Sequence, residues 1–334
     1  MKHQIARGIG RYIDLDRFIA RSRERYVLCY HRVLPPEEAR RDRVHSTMWI
    51  SPQTFEAQIQ WMQQVGHIVH YERLLDPAAP RDRPLFTITF DDGWKDNYEY
   101  AFPILKKYSA PALIFLATGA IDSGELFWPE DLVTKTHRAV QAGKQAEVVA
   151  ALPQLAGDVR AVKDPAAWTE TCVEELKLMR EADRRERINH YYQQVGVDAA
   201  PLRGYIMNWD NVATMHQAGI SFGSHTHSHR ILKGLPLAEI EEELRRSRDI
   251  LAARLQAPVD TFCYPNARYN GNEREILARC GYRYAFRLDD LAMSHCSDPY
   301  YVPRFLMYEQ IASNPDYVRL RLLEIPSYKA RSEN

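Results

Sequence analysis

The chain has 334 residues, 45% hydrophobic and 26% charged, the composition of a folded globular protein with no sign of disorder. Lysine plus arginine balance aspartate plus glutamate at 44 each, so no net basic charge points to nucleic acid. The longest uncharged apolar run, Ala110 to Ile121, is too short to span a bilayer, and five scattered cysteines without a CxxC pair read as free thiols in a reducing cytoplasm.

Residues 4–25 can form a helix in which Ile5, Ile9, Ile13, Phe18 and Ile19 alternate with Arg7, Arg11, Arg17, Arg21 and Arg25. No continuous apolar stretch of the secretory kind occurs there. Such a helix packs on its own domain or lies on an anionic membrane surface. The expectation is a cytoplasmic protein, with peripheral contact to the inner membrane surface through this helix. A first strand runs from Tyr26 to Val33, and Ser51 with Pro52 starts a helix that carries Phe55, Ile59 and Met62 and stops at Gly66. Next come a short strand at 67–70, a strand at 85–90, a helix at 97–108 and a strand at 112–118.

From 121 to 204 the pattern is helical only, chiefly at 129–142 and 169–195. With ordinary connections of about 4–6 residues, this is an insertion of roughly 80 residues. It starts where a strand ends, so it is expected either to wall the cleft, with Trp168, Tyr191 and Tyr192 facing a ligand, or to form an oligomer surface. Alternation resumes with a helix at 208–218, a strand at 220–224, a helix at 236–255, a strand at 261–264, a helix at 272–280 and a strand at 282–288. Tyr300 to Met307 is the last extended piece.

Eight strands alternating with helices predict an α/β fold, an irregular (β/α) barrel, with a doubly wound open sheet as the alternative. The domain organisation read from this is an N-terminal helix at 1–25, a discontinuous barrel at 26–120 and 205–310, the insertion at 121–204, and a C-terminal tail at 311–334.

Two constellations carry chemistry. Phe86, Ile88 and Phe90 alternate with Thr87 and Thr89 in a strand that ends in Asp91-Asp92-Gly93. Adjacent carboxylates repel, and a chain keeps them where something positive sits, usually a metal. The second constellation, Ser224-His225-Thr226-His227-Ser228-His229, also follows a strand. If the segment coils, His225 and His229 share a face; if it stays extended, all three imidazoles do. In a (β/α) barrel both clusters lie on the face formed by the strand ends. One carboxylate and two imidazoles make a three-ligand site with an open position, the pattern of hydrolytic zinc, and the second carboxylate is left as a general base.

Thr89-Phe90-Asp91-Asp92-Gly93 and His225-Thr226-His227-Ser228-His229 resemble the first two motifs of the polysaccharide deacetylase family (the NodB homology domain, carbohydrate esterase family four). Tyr30-His31-Arg32-Val33, Trp209-Asp210, Phe262-Cys263-Tyr264-Pro265-Asn266 and Val302-Pro303-Arg304 resemble a bacterial subgroup associated with surface-polysaccharide synthesis. The resemblance spans about 26–120 and 205–307. It implies a metal-dependent hydrolase that removes N-acetyl groups from amino sugars of a polysaccharide or glycolipid. The alternatives are a deformylase or deacylase of a lipid-linked sugar, and a non-catalytic carbohydrate-binding module on the same fold.

Carried over by position, Asp91 is the base, and Asp92, His225 and His229 hold one divalent ion, zinc by ligand type, while His227 stays outside the shell. Cys263 stands where the family has an arginine, so Arg304 is expected to reach Asp91 in its place. Asn266, through its backbone N–H, and Tyr264 are assigned to the substrate and oxyanion side. The family's late leucine-x-histidine motif has no clean match; His295 is the candidate acid and His31 its competitor.

Overall fold

In the computed structural model, residues 13–155, 165–271 and 273–325 are described. Their contacts divide them into two compact units, one from the segments up to 35, 46–124 and from 206 onward, the other from 36–45 and 125–205.

The first unit is built on ten short strands: β1 (Arg25–Tyr30), β2 (Arg32–Val33), β3 (Trp49–Ile50), β4 (His67–Ile68), β5 (Leu85–Phe90), β6 (Ala112–Leu116), β7 (Ser221–Ser224), β8 (Thr261–Cys263), β9 (Tyr284–Phe286) and β10 (Phe305–Leu306). The main sheet is parallel throughout, in the order β10-β1-β5-β6-β7-β8-β9, with β4 beside the first two residues of β5. Segment 302–306 joins the sheet's edges: Val302 bridges Phe286 of β9, and Phe305 pairs with Leu28 of β1. This is the expected irregular parallel barrel. All six residues of β5 are buried, as a parallel strand covered on both faces requires. Phe86 and Phe90 pack outward on Trp61 and Phe55 of the helix Pro52–Val65, while the Thr89 hydroxyl meets Arg304.

Several expectations change in detail. The first strand does not run to Val33. It ends at Tyr30, and β2 turns away to pair with β3 in a separate two-stranded sheet. Two-residue strands carry no periodicity, which is why β3 went unread. The helix expected at 97–108 opens with a π-helical turn over Asn97–Ala101. The supposed tail begins as packed structure: the helix Pro315–Leu322 buries Val318, Leu320 and Leu322. Of the N-terminal helix, residues 4–12 lie outside the described residues. The described part, Leu15–Ser22, buries Leu15 and Ile19, and Asp16 accepts hydrogen bonds from Trp61 and Arg319 at 2.6–2.8 Å. Among the described residues no helix is long and apolar enough to cross a membrane.

The second unit is helical, with Trp128–Gln141, Gln145–Ala151, Pro165–Leu176 and Glu181–Val195 as its main elements. Its core gathers Leu132, Val148, Leu152, Leu176, Tyr191 and Tyr192. Tyr191 and Tyr192 are fully used there: their hydroxyls bond Thr136 and Asp131 at 2.9 and 2.7 Å. They therefore do not face a glycan, and Trp168 packs against the same core. Residues 36–45 belong to this unit, with the buried Asp42 accepting from Arg138 at 2.7 Å.

Candidate metal centre and active site

The two adjacent carboxylates of the β5 terminus have different surroundings because the backbone turns between them. Asp91 continues the strand, its N–H donating to Tyr30 O at 3.1 Å. Asp92 then takes φ 76°, a left-handed conformation uncommon outside glycine. Gly93 follows at φ 87°, where a Cβ would meet Leu116 at 2.8 Å. The turn separates the two acids and gives each its own partners.

Asp91 is buried and is gripped by both terminal nitrogens of Arg304, each at 2.7 Å from one carboxylate oxygen. Burial alone pushes this carboxyl up, but the charge and hydrogen bonds of Arg304, with the nearby imidazoles, together outweigh it and hold the pKa at about 2. Arg304 is itself only 1% exposed and also donates to Thr89 Oγ1 and Cys263 Sγ. The Cys29 and Cys263 thiols lie 3.6 and 3.5 Å from Asp91 Oδ2, and burial pushes both well above the usual thiol range. His31 Nε2 stands 3.9 Å from the same oxygen, with burial lowering the ring's pKa.

Asp92 faces the histidines. Its Oδ1 lies 3.4 Å from His225 Nε2 and 3.2 Å from His229 Nε2. Its Oδ2 accepts from the indole N–H of Trp94 at 2.8 Å. Burial raises the Asp92 carboxyl, and the two imidazoles more than reverse this, holding it well below the usual range. His225 Nδ1 lies 2.8 Å from the carbonyl of Cys263. A carbonyl only accepts, so Nδ1 carries a proton, and Nε2 is the nitrogen that would be offered to an ion. Gly223 makes this placement possible, since a Cβ there would meet Thr261 Oγ1 at 2.5 Å.

The loop with the second histidine is held from behind by Glu243 of the helix Leu237–Leu255. One carboxylate oxygen accepts the His227 and Ser228 N–H groups at 2.9 and 2.8 Å, and the other accepts the Ser228 hydroxyl at 2.5 Å. His227 turns away from Asp92, its Nδ1 2.9 Å from Thr118 Oγ1.

Two sets of side chains bring potential ligand atoms together: Asp92, His225 and His229, and Asp91, His225 and Cys263. In the second set both oxygens of Asp91 and the cysteine sulfur are already engaged by Arg304. In the first, the carboxylate-to-nitrogen separations of 3.2 and 3.4 Å match ligands on a tetrahedral zinc; bonds of about 2.05 Å give edges of about 3.4 Å. The first set fits a divalent ion, the second does not.

Two of the expected positions differ. His295 is half exposed and pairs with Glu324 at 2.9 Å. Met293, two residues before it, packs in one core cluster with Val27 and Leu85, near the starts of β1 and β5. Asp91 follows the other end of β5, so the structure does not bring His295 beside the base. Tyr264 does not present its hydroxyl to a substrate: it packs on Phe262, Tyr269 and Tyr301 and donates to Tyr300 O at 3.1 Å. Cys263 is the side chain of that stretch that meets Asp91. Asn266, left-handed at φ 53° and exposed, lies on the loop leaving β8. Trp94 and Glu243 were not read as site residues. Trp94 follows the Asp-Asp-Gly run directly, a signal of proximity, whereas nothing local marks Glu243.

The polysaccharide deacetylase family model matches residues 78–150 and 168–285. A poly-β-1,6-N-acetyl-D-glucosamine N-deacetylase of Staphylococcus aureus is 23% identical over 263 residues, covering 77% of this chain and 67% of the relative. Among solved structures, the Streptococcus pyogenes deacetylase PplD aligns with a TM-score of 0.56 at 20% identity, covering 87% of this chain and 96% of that one. IcaB from Ammonifex degensii aligns with a TM-score of 0.55 at 19% identity, covering 89% and 97%. At these identities the structural likenesses establish the fold.

Proposed function

Because the chain belongs to the polysaccharide deacetylase family, we propose that it hydrolyses N-acetyl groups of a β-1,6-linked N-acetylglucosamine polymer, releasing acetate and leaving free amines. The observation that carries the reading is an ionised carboxylate, Asp91, fixed by Arg304 beside the three converging ligand atoms of Asp92, His225 and His229. The choice of polymer rests on the named activity of the staphylococcal relative.

Asp92, His225 and His229 would hold the ion, which we take to be zinc because two imidazole nitrogens and one carboxylate with an open position suit it. When bound, it supplies a Lewis acid for the amide carbonyl. Asp91 accepts the proton of the attacking water, and Arg304 fixes both carboxylate oxygens so that the base cannot rotate away. The backbone N–H of Asn266 donates to the oxyanion as the carbonyl carbon becomes tetrahedral. His31, its Nε2 3.9 Å from Asp91 Oδ2, hands a proton to the leaving sugar nitrogen as the C–N bond breaks.

The same proposal puts the protein at an inner membrane surface. Exposed Ile13 and Phe18 beside the exposed Arg17 and Arg21 support that reading.

The test is a free-amine and acetate assay of zinc-loaded protein on poly-β-1,6-N-acetylglucosamine and on β-1,4-linked chito-oligosaccharides. Turnover of the first above the second is expected. Acetate from neither sugar would overturn the activity, and preference for the second would overturn the linkage.

A further inference from the structure

We propose that Trp94, braced by Arg32 and Asp96, is a positioning residue that orients the Asp92 carboxylate so that a single oxygen faces His225 and His229. The inference rests on reading those three residues as the metal ligands. A carboxylate can turn about its last bond and offer one oxygen, the other, or both. In this protein the Trp94 indole N–H, 2.8 Å from Oδ2, fixes that choice and leaves Oδ1 toward the two imidazoles at 3.2 and 3.4 Å.

The indole is in turn immobile. Trp94 is fully buried, and its backbone bridges Ile206 while Met207 N donates to Gly93 O at 3.0 Å. The Arg32 guanidinium lies over the ring, 4.3 Å from its centroid. A cation on the π face draws electron density from the ring and makes its N–H a better donor. Arg32 is itself buried and held by Asp96 through Nε at 2.8 Å, and the other Asp96 oxygen accepts the Val33 N–H at 2.9 Å. The chain of contacts therefore runs Asp96, Arg32, Trp94, Asp92, from the β2 segment to the ligand oxygen.

A brace is needed because Asp92 sits at φ 76°. A non-glycine residue stays in that conformation only when its surroundings over-determine it. Hydrogen-bonded partners behind a ligand commonly change metal affinity by about 10- to 100-fold when removed.

The experiment measures zinc affinity by competition with a chromophoric chelator, for the full chain and for Trp94→Phe, which keeps a ring and removes the N–H. Affinity should fall about 10- to 100-fold, with the EDTA-treated protein still folded by circular dichroism. Arg32→Lys, which keeps the charge and loses the flat stack, should fall in the same direction by less. In case Trp94→Phe does not fold, the unsubstituted protein supplies a second readout. Its assigned Trp94 indole N–H resonance should be protected from exchange and should shift when zinc is added. Equal affinity of Trp94→Phe and the parent, or an indole signal that zinc leaves in place, would overturn the brace alone. A parent protein that takes up no zinc would overturn the brace and the ligand reading together.

Discussion

Arg304 and Asp91 meet as two parallel N–H···O contacts of 2.7 Å, across 213 residues of sequence and in a buried interior. The arginine does two things at once: it neutralises a carboxylate that burial would otherwise protonate, and it fixes the carboxylate's plane. Arg304→Lys keeps the charge but loses the rigid fork. Misplacing a catalytic group by about 1 Å costs about 100-fold, so kcat should fall by that order in the lysine variant with metal content unchanged. Arg304→Ala should in addition destabilise by about 3–5 kcal/mol, because it leaves a buried charge unpaired. Steady-state kinetics and urea denaturation separate the two effects. A lysine variant with parental kcat would show that the fork has no catalytic part.

The division between base and ligands makes a second set of outcomes. His225→Ala and His229→Ala should lose most bound metal, while His227→Ala should keep it, since that ring turns to Thr118. Asp91→Asn should retain metal and lose turnover. Elemental analysis of the four purified variants checks this, and a metal-free Asp91→Asn would exchange the roles assigned to the two aspartates.

The base and the ligand motifs were legible in the sequence because each is a contiguous run at a strand end. Asp91-Asp92-Gly93 and His225 to His229 need only the rule that strand ends share one face of a barrel. Arg304 was legible only through the family resemblance: Cys263 stands where the family has its arginine, and Arg304 follows a proline near the last strand. His295 failed because a sequence does not say at which end of the barrel a late loop lies. The connection from β9 brings Met293 against Val27 and Leu85, near the starts of β1 and β5. Trp94 and Glu243 act through contacts set by tertiary packing, where periodicity carries no signal. For Tyr264 the alternation of β8 was available: Phe262 and Tyr264 share one face, and Cys263 takes the other.

With His295 removed from the site, the histidines make a paired prediction. His31→Ala should lower kcat by about 100- to 10,000-fold, the range for losing a general acid. His295→Ala should stay within about twofold of the parent, as surface changes usually do. The pair is measured on one substrate at one pH with matched zinc content. Parental turnover in His31→Ala would leave the leaving nitrogen to be protonated by solvent.

The helical unit offers a pH test apart from the metal centre. Asp42, buried in the segment 36–45, accepts from Arg138 at 2.7 Å and from Arg41 at 2.9 Å, and its backbone carbonyl takes the Thr134 hydroxyl at 3.2 Å. Burial raises the Asp42 carboxyl, and the two arginines lower it further than burial raises it, so the net shift is downward. A carboxyl with a lower pKa folded than unfolded stabilises the fold above its unfolded pKa, about 3.9. That contribution fades as pH falls through the folded value, where both states are protonated. Asp42→Asn should therefore melt below the parent at pH 6–7, by about 2–4 °C for each kcal/mol lost, and the gap should close as acid is added below about pH 4. Thermal melts of the full chain followed by helical circular dichroism read this directly. A gap that stays constant down to about pH 3 would mean that Asp42 acts by packing and backbone contacts, with its charge contributing nothing.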